Sequence, residues 1–305
     1  KLIGGPVFAI LLGMILAFWK RPSAMDAGIT FCSKKILQYS IIFIGFGMNI
    51  RTVLATGGQS LAVMLCTIAA SLLTAFLMGR VLKVPSNTAT LIGVGTSICG
   101  GSAIAATAPV IEADDREVAY SISTIFLFNI LAVFIFPALG RVFHMTDTGF
   151  GIWAGTAIND TSSVVAAGFT FSDAAGELAT IVKLTRTLMI IPITLALTVH
   201  RTWKRKQQGT AAASNYSIVK IFPWFVLGFL LTAILNSTGW IPSAASSWLN
   251  ELGKFGIMVA MAGIGLNTNL KSLVKNGVRP IALGLCCWFV VAVVSLVVQH
   301  LLHLV

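Results

Sequence analysis

GTSICGGSAIAA (residues 95–106) and GTAINDTSSVVAA (residues 155–167) are two versions of one motif. They align without gaps at an offset of 60: Gly95 with Gly155, Thr96 with Thr156, Ile98 with Ile158, Ser102 with Ser162 and Ala106 with Ala166, and further on Glu117 with Glu177. Both are rich in Gly, Ser, Thr or Asn, yet each sits inside an apolar run. A second repeat pairs GFGMN (45–49) with GIGLN (263–267), and each follows an apolar segment with its own proline, Pro6 or Pro223.

The surroundings of these repeats are those of a membrane protein. The chain has 305 residues, 56% hydrophobic and 10% charged, against about 25% charged for a soluble domain. Residues 2–19 hold no charge, as expected of a membrane span. No small-residue cleavage pattern follows them, so they are not read as a signal peptide. Nine more apolar segments follow, near 36–50, 60–78, 88–111, 118–139, 151–171, 178–199, 221–235, 255–270 and 280–302. The net charge of +11 lies between apolar runs, which points to membrane topology rather than to nucleic acid. Five cysteines without CxxC spacing read as packing residues, with no disulfide or zinc framework.

The clearest polar break, HRTWKRKQQGTAAASN (200–215), reads as a basic, cytoplasmic linker within one transmembrane domain spanning 1–305, with halves near 1–140 and 150–305. Counting crossings puts the Lys20/Arg21/Lys34/Lys35, Arg80/Lys83 and Lys271/Lys275/Arg279 loops on that same side. The chain start and the C-terminus fall on the other side, and one further upstream span would return the N-terminus to the cytoplasm.

Parity then tests the repeats. If all ten segments cross, the Gly95 and Gly155 segments point the same way and the Gly45 and Gly263 segments point opposite ways. One inverted symmetry cannot relate both pairs. If the Gly95 and Gly155 segments are re-entrant hairpins, eight spans remain and a single inversion relates every repeat. The expected fold is therefore an all-α integral membrane protein, a polytopic helical bundle of about eight to ten membrane segments. It carries inverted repeats and two broken or re-entrant segments, a recurring transporter design.

The repeated segments also hold the candidate chemistry. Gly100-Gly101 weakens a helix at its middle, and the freed backbone groups need partners in a bilayer. A half-helix N-terminus attracts anions. Ser97, Gly100, Gly101, Ser102, Asn159, Thr161, Ser162 and Ser163 are thus candidate substrate contacts, although small residues also serve plain helix packing. Asp160 is the carboxylate of its segment and reads either as a helix cap or as a site for a coupling proton or Na⁺. Lys183 and Arg186 share a helix face inside an apolar run. They read as an anion-attracting pair, or as charges that snorkel or pair with Asp160. Asn49 and Asn267 read as donors to a substrate oxygen or as ion-coupling carbonyls, or else as partners in an inter-helix hydrogen bond or helix C-caps.

The cluster from Glu112 to Glu117 reads as a solvated turn, and Trp153, Trp240 and Trp248 as interfacial belts. His144, His200, His300 and His303 form no metal-binding spacing. There is no nucleotide loop, and no histidine accompanies Asp160 and the serines to make a hydrolase triad. Neither a cofactor nor an enzyme activity is expected.

LIGVGTSICGGSAIAATAPVI, WAGTAINDTSSVVAAG and ATIVKLTRTLMIIPITL resemble the YeiH-like bacterial inner-membrane proteins, a family often labelled sulfate exporters. The resemblance covers nearly the whole chain. It implies export of a small oxyanion such as sulfate or sulfite, and a relation to the inverted-repeat superfamily of cation–proton antiporters and anion transporters. The expected function is a secondary transporter, an exporter, of a small inorganic or sulfur-containing anion in the bacterial inner membrane. Na⁺ or H⁺ coupling and assembly into a homo-oligomer are allowed for. The alternatives are a Na⁺- or H⁺-coupled cation transporter and a non-transporting membrane protein.

Overall fold

The computed structural model describes residues 5–19, 22, 24–207, 223–267 and 277–304. Lys20, Arg21, Lys271, Lys275 and the latter half of the 200–215 linker lie outside these residues. Thirteen helices run among the described residues, which contain no strand. They are α1 (Gly5–Leu16), α2 (Ala24–Gly47), α3 (Ile50–Val81), α4 (Ser86–Ser97), α5 (Gly101–Ile111), α6 (Asp115–Val142) and α7 (Asp147–Ala157). Then follow α8 (Thr161–Phe171), α9 (Asp173–Leu188), α10 (Ile190–Gln207), α11 (Trp224–Ser237), α12 (Ser243–Asn267) and α13 (Val278–Leu301). Six stretches are long and apolar enough to cross a membrane: α2, α3, α6, α12, α13 and Asp173–Leu197, which joins α9 to most of α10. The chain is a polytopic helical membrane protein, with Leu65, Phe76 and Phe289 turned outward where a bilayer would cover them.

Local sequence explains where these helices start. Asp114 and Glu117 form a capping box at α6: Asp114 Oδ1 accepts from Glu117 N at 2.7 Å, and Glu117 Oε2 accepts from Asp114 N at 3.1 Å. Asn49 caps α3 through Arg51 N, Thr146 caps α7 through Gly149 N, and Ser172 caps α9 through Ala175 N.

The segments at 88–111 and 151–171 both double back. In the first, α4 and α5 meet at the turn 98–100, and a Cβ on Gly95 would lie 2.9 Å from Ile104 Cδ1, nine positions on. Its open end sits at the start of α6, where Asn87 Nδ2 donates to Glu117 Oε2 at 3.1 Å. In the second, α7 and α8 meet at 158–160, and the rings of Phe150 and Phe171 stack at 4.0 Å. Its open end sits at the finish of α6: Arg141 Nη2 donates to Thr170 O at 2.7 Å, and Ser172 Oγ donates to Asp147 Oδ1 at 2.6 Å. Since the 28 residues of α6 span roughly 42 Å, the two hairpins enter from opposite faces. We call these the first face, where α6 starts, and the second face, where it ends. Arg80 and Lys83 at the end of α3 share the first face with Arg279 at the start of α13; Leu283 packs beside Gly79.

The helices form two units. A frame joins α1, α2, α11 and α12 through small-residue contacts that let backbones approach. A Cβ on Gly13 would run into Ala262 O, and one on Gly265 into Ile10 O. Thr232 Oγ1 of α11 bonds Ile42 O of α2 at 2.8 Å. The core unit holds both hairpins with α3, α6, α9, α10 and α13. Gly93 packs on Ala75, Gly155 on Val182 and Gly168 on Gly176.

Two expectations need correction. The helix expected from residue 36 starts at Ala24, so Lys34 and Lys35 lie inside it, on a π-helical turn at Cys32–Ile36, and not in a loop. Trp153 is 2% exposed and is no belt residue. It stacks on Phe136 at 4.3 Å and donates through Nε1 to Ala292 O at 3.0 Å, because α7 is enclosed by the bundle. Trp240 and Trp248 are exposed, at 82% and 65%.

Candidate functional site

The two hairpin tips meet in the middle of the core. Gly100, at φ +69°, is the turning point of the first, and a Cβ there would lie 3.6 Å from both Asp160 Cβ and Asn129 Nδ2. The tips carry four half-helix ends. The C-terminal ends of α4 and α7 present free carbonyls with partial negative charge, and α9 presents two cations to them. Lys183 Nζ donates to Ile98 O at 2.8 Å, to Ile158 O at 3.1 Å and to Asn159 O. Arg186 Nε donates to Ser97 O at 2.7 Å, Nη1 to Thr156 O at 2.6 Å and to Ile158 O at 3.3 Å, and Nη2 to Thr96 O. Both side chains are 0% exposed. Neither snorkels to an interface, and the hydrogen bonds of both go to backbone carbonyls at the tips. The three donors of Lys183 and four of the five N–H groups of Arg186 bond carbonyls of the two hairpins, and so the pair clamps one tip to the other.

The N-terminal ends of α5 and α8 are treated differently. Asp160 caps α8, accepting from Ser162 N at 3.0 Å and from Ser162 Oγ. Asn129 of α6 steadies this tip by accepting from Asp160 N at 3.2 Å. The N-cap of α5 is Gly100, and no side chain caps that helix. We expect Asp160→Ala to destabilise the protein by about 1 kcal/mol, as for other N-caps. Asp160→Asn, which can still cap, should leave the melting temperature within about a degree of the parent in a detergent melting experiment.

A cavity of ≈580 Å³ opens beside the tips. From the core it is lined by Cys99, Ser102, Ala105, Ala106, Thr161, Thr187 and Ile190, and from the frame by Lys35, Gln38, Pro223, Trp224 and Phe225. It runs from the tips toward the first face, where α11 begins. Ser102 is exposed to it and Gly101 is half-buried, so the uncapped α5 terminus adjoins the cavity. Lys35 is its charged side chain among the described lining residues.

The structure brings together Ser97, Gly100, Gly101, Ser102, Asn159, Asp160, Thr161, Ser162 and Ser163 around the tips. Ser97 and Asn159 contribute backbone carbonyls to the clamp, and the Asn159 side chain is 0% exposed with neither amide atom partnered. Asn49 and Asn267 are not part of this group. Asn49 is an exposed cap at the second face, accepting from Arg51 N at 2.9 Å. Asn267 sits at the other end of the frame, donating to Ser33 Oγ at 3.5 Å. Asn49 is thus a helix cap, at an N-terminus rather than a C-terminus, and Asn267 makes an inter-helix hydrogen bond.

Sequence reasoning missed Lys35, Gln38, Thr187, Trp224, Phe225 and Asn129. Asn129, 3% exposed in a long apolar helix, carried the signal of an intramembrane polar residue. The others look unremarkable until α2 and α11 are placed against the tips.

On the second face the frame closes against the core. Lys254 of α12 bonds Asp173 Oδ2 of α9 at 3.1 Å and Glu251 Oε1 at 3.1 Å, and lies 5.9 Å from the centre of the Phe169 ring.

The family described as conserved hypothetical protein 698 matches residues 1–284. A UPF0324 membrane protein of Streptococcus mutans is 52% identical over 311 residues, covering 99% of this chain and 91% of the relative. One from Fusobacterium nucleatum is 45% identical over 322 residues, covering 99% and 92%. One from Streptococcus pneumoniae is 48% identical over 308 residues, covering 98% and 90%. No solved structure matches the chain.

Proposed function

We propose, from the premise that the chain belongs to the UPF0324 membrane protein family described as conserved hypothetical protein 698, that it is a secondary transporter of a small anion. The observation that carries this reading is the cavity: it lies between two helical units, at the tips of two opposed hairpins, and leads toward one face. An uncapped helix N-terminus and Lys35 favour an anion there. The clamp formed by Lys183 and Arg186 would let both hairpins move as one body against the frame. Alternating access then needs the Lys254–Asp173 tie to open as the first face closes. The family resemblance to YeiH-like proteins adds sulfate or sulfite export to the candidates. It also supports an inverted-repeat scaffold in the inner membrane, with the basic first face in the cytoplasm.

A coupling cation is the second reading, and Asn159 favours it. Its amide oxygen is buried without a partner beside Asp160, and a Na⁺ ion would satisfy it. A thermal-shift screen of detergent-purified protein separates the two. It would use sulfate, sulfite, thiosulfate, short sulfonates and carboxylates, each with and without Na⁺. Anion binding at 100 times Kd should stabilise the protein by about 2.7 kcal/mol. In Lys35→Gln the same response should need roughly tenfold more anion, the loss of one charge-assisted contact worth about 1.5 kcal/mol. A response to Na⁺ alone, abolished by Asp160→Asn, would replace the anion reading with the cation one.

A further inference from the structure

The cavity is amphipathic, and that narrows what it can hold. The core wall offers Ser102 and Thr161 near the α5 terminus, then Ile190; the frame wall offers Lys35 together with Trp224 and Phe225. We infer that its ligand is an organic monoanion, a short sulfonate or carboxylate with an apolar or aromatic body, rather than a bare inorganic dianion. This rests on the anion reading above and deepens it.

Three physical points lead there. The desolvation cost of an ion grows with the square of its charge, so a dianion needs several convergent cations or charged donors. Among the described lining residues Lys35 alone is charged, and the buried Lys183 and Arg186 donate to backbone carbonyls. Second, the indole of Trp224 and the ring of Phe225 line the cavity with apolar surface. They suit an alkyl or aryl group, which gains by leaving water and by stacking. Third, ≈580 Å³ falls within the roughly 300–1,000 Å³ of pockets that enclose organic ligands.

The test is a thermal-shift titration of the full chain in detergent with methane-, ethane-, butane- and benzenesulfonate, sulfate, and chloride at matched ionic strength. Apparent affinity should rise about fourfold per added methylene until the cavity is filled, as about 0.8 kcal/mol per buried CH₂ implies. Benzenesulfonate should exceed methanesulfonate, and sulfate should do no more than chloride. Replacing Trp224 and Phe225 together by Ala should flatten the series, and Lys35→Gln should weaken all sulfonates alike. A series equally steep in the Trp224→Ala/Phe225→Ala variant reports partitioning into detergent and overturns the inference. Sulfate binding above every sulfonate also overturns it, while leaving the anion reading intact. A response to Na⁺ or pH without any anion response removes both.

Discussion

Replacing Arg186 by Met should lower the melting temperature in detergent by on the order of 10 °C and abolish function. Arg186 is 0% exposed, and its guanidinium joins the carbonyls of Thr96 and Ser97 in the first hairpin to those of Thr156 and Ile158 in the second. Met fills similar volume but leaves those carbonyls without this donor. Each buried polar group left unsatisfied costs about 1–3 kcal/mol, and removing one partner from a buried charged network costs about 3–5 kcal/mol. At about 2–4 °C per kcal/mol for a chain of this size class, the shift is large enough to read plainly. Arg186→Lys should fall between, because an ammonium keeps the charge without the planar fork that spans two hairpins. Lys183→Met should act in the same direction, since Nζ also bridges the two tips. A role in direct substrate contact alone would predict weaker ligand binding with an unchanged melting temperature.

The second large effect is expected at Gly100. Its φ of +69° with ψ of −128° belongs to a region that residues with a Cβ rarely adopt, and holding one there costs about 1–3 kcal/mol. The surrounding space is not the obstacle, because a Cβ would meet Ile125, Asn129 and Asp160 at 3.5–3.6 Å, ordinary contact distances. Gly100→Ala should therefore destabilise through the backbone and turn the first tip away from Asp160. Ligand binding measured by thermal shift should fall tenfold or more. Gly101→Ala provides the contrast: nothing lies within 4 Å of a Cβ there and its φ is ordinary, so it should be nearly neutral for stability. Equal losses at both positions would point to steric crowding at the tip rather than to backbone strain.

The hairpins were legible because reading both repeats under one symmetry requires two of the segments to double back, and because polar clusters inside apolar runs mark broken helices. Membrane character followed from composition alone. The chemistry at the tips was half legible. Charges at Lys183 and Arg186 announce that partners exist, but the partners are backbone carbonyls 24 to 90 positions away, and a carbonyl leaves no signature in sequence. Trp153 was misplaced for a related reason. Hydropathy distinguishes apolar from polar, not lipid from protein, and α7 is surrounded by protein. Lys35 hid in an apparent loop, because two adjacent lysines before an apolar run look like a helix boundary. Its meaning depends on Trp224 of α11 lying across the same cavity.

On the proposed transporter reading, one site at the tips faces each side of the membrane in turn. This alternation is tested most directly by labelling a single cysteine at Ser102, in a chain whose five native cysteines are replaced, with an impermeant thiol reagent applied to either face of oriented vesicles. The account predicts labelling from the first face in the resting chain. It also predicts a several-fold rise in labelling from the second face, with a fall from the first, when Asp173→Lys turns the tie to Lys254 into a repulsion. Labelling from the first face alone, unchanged in both chains, would contradict it.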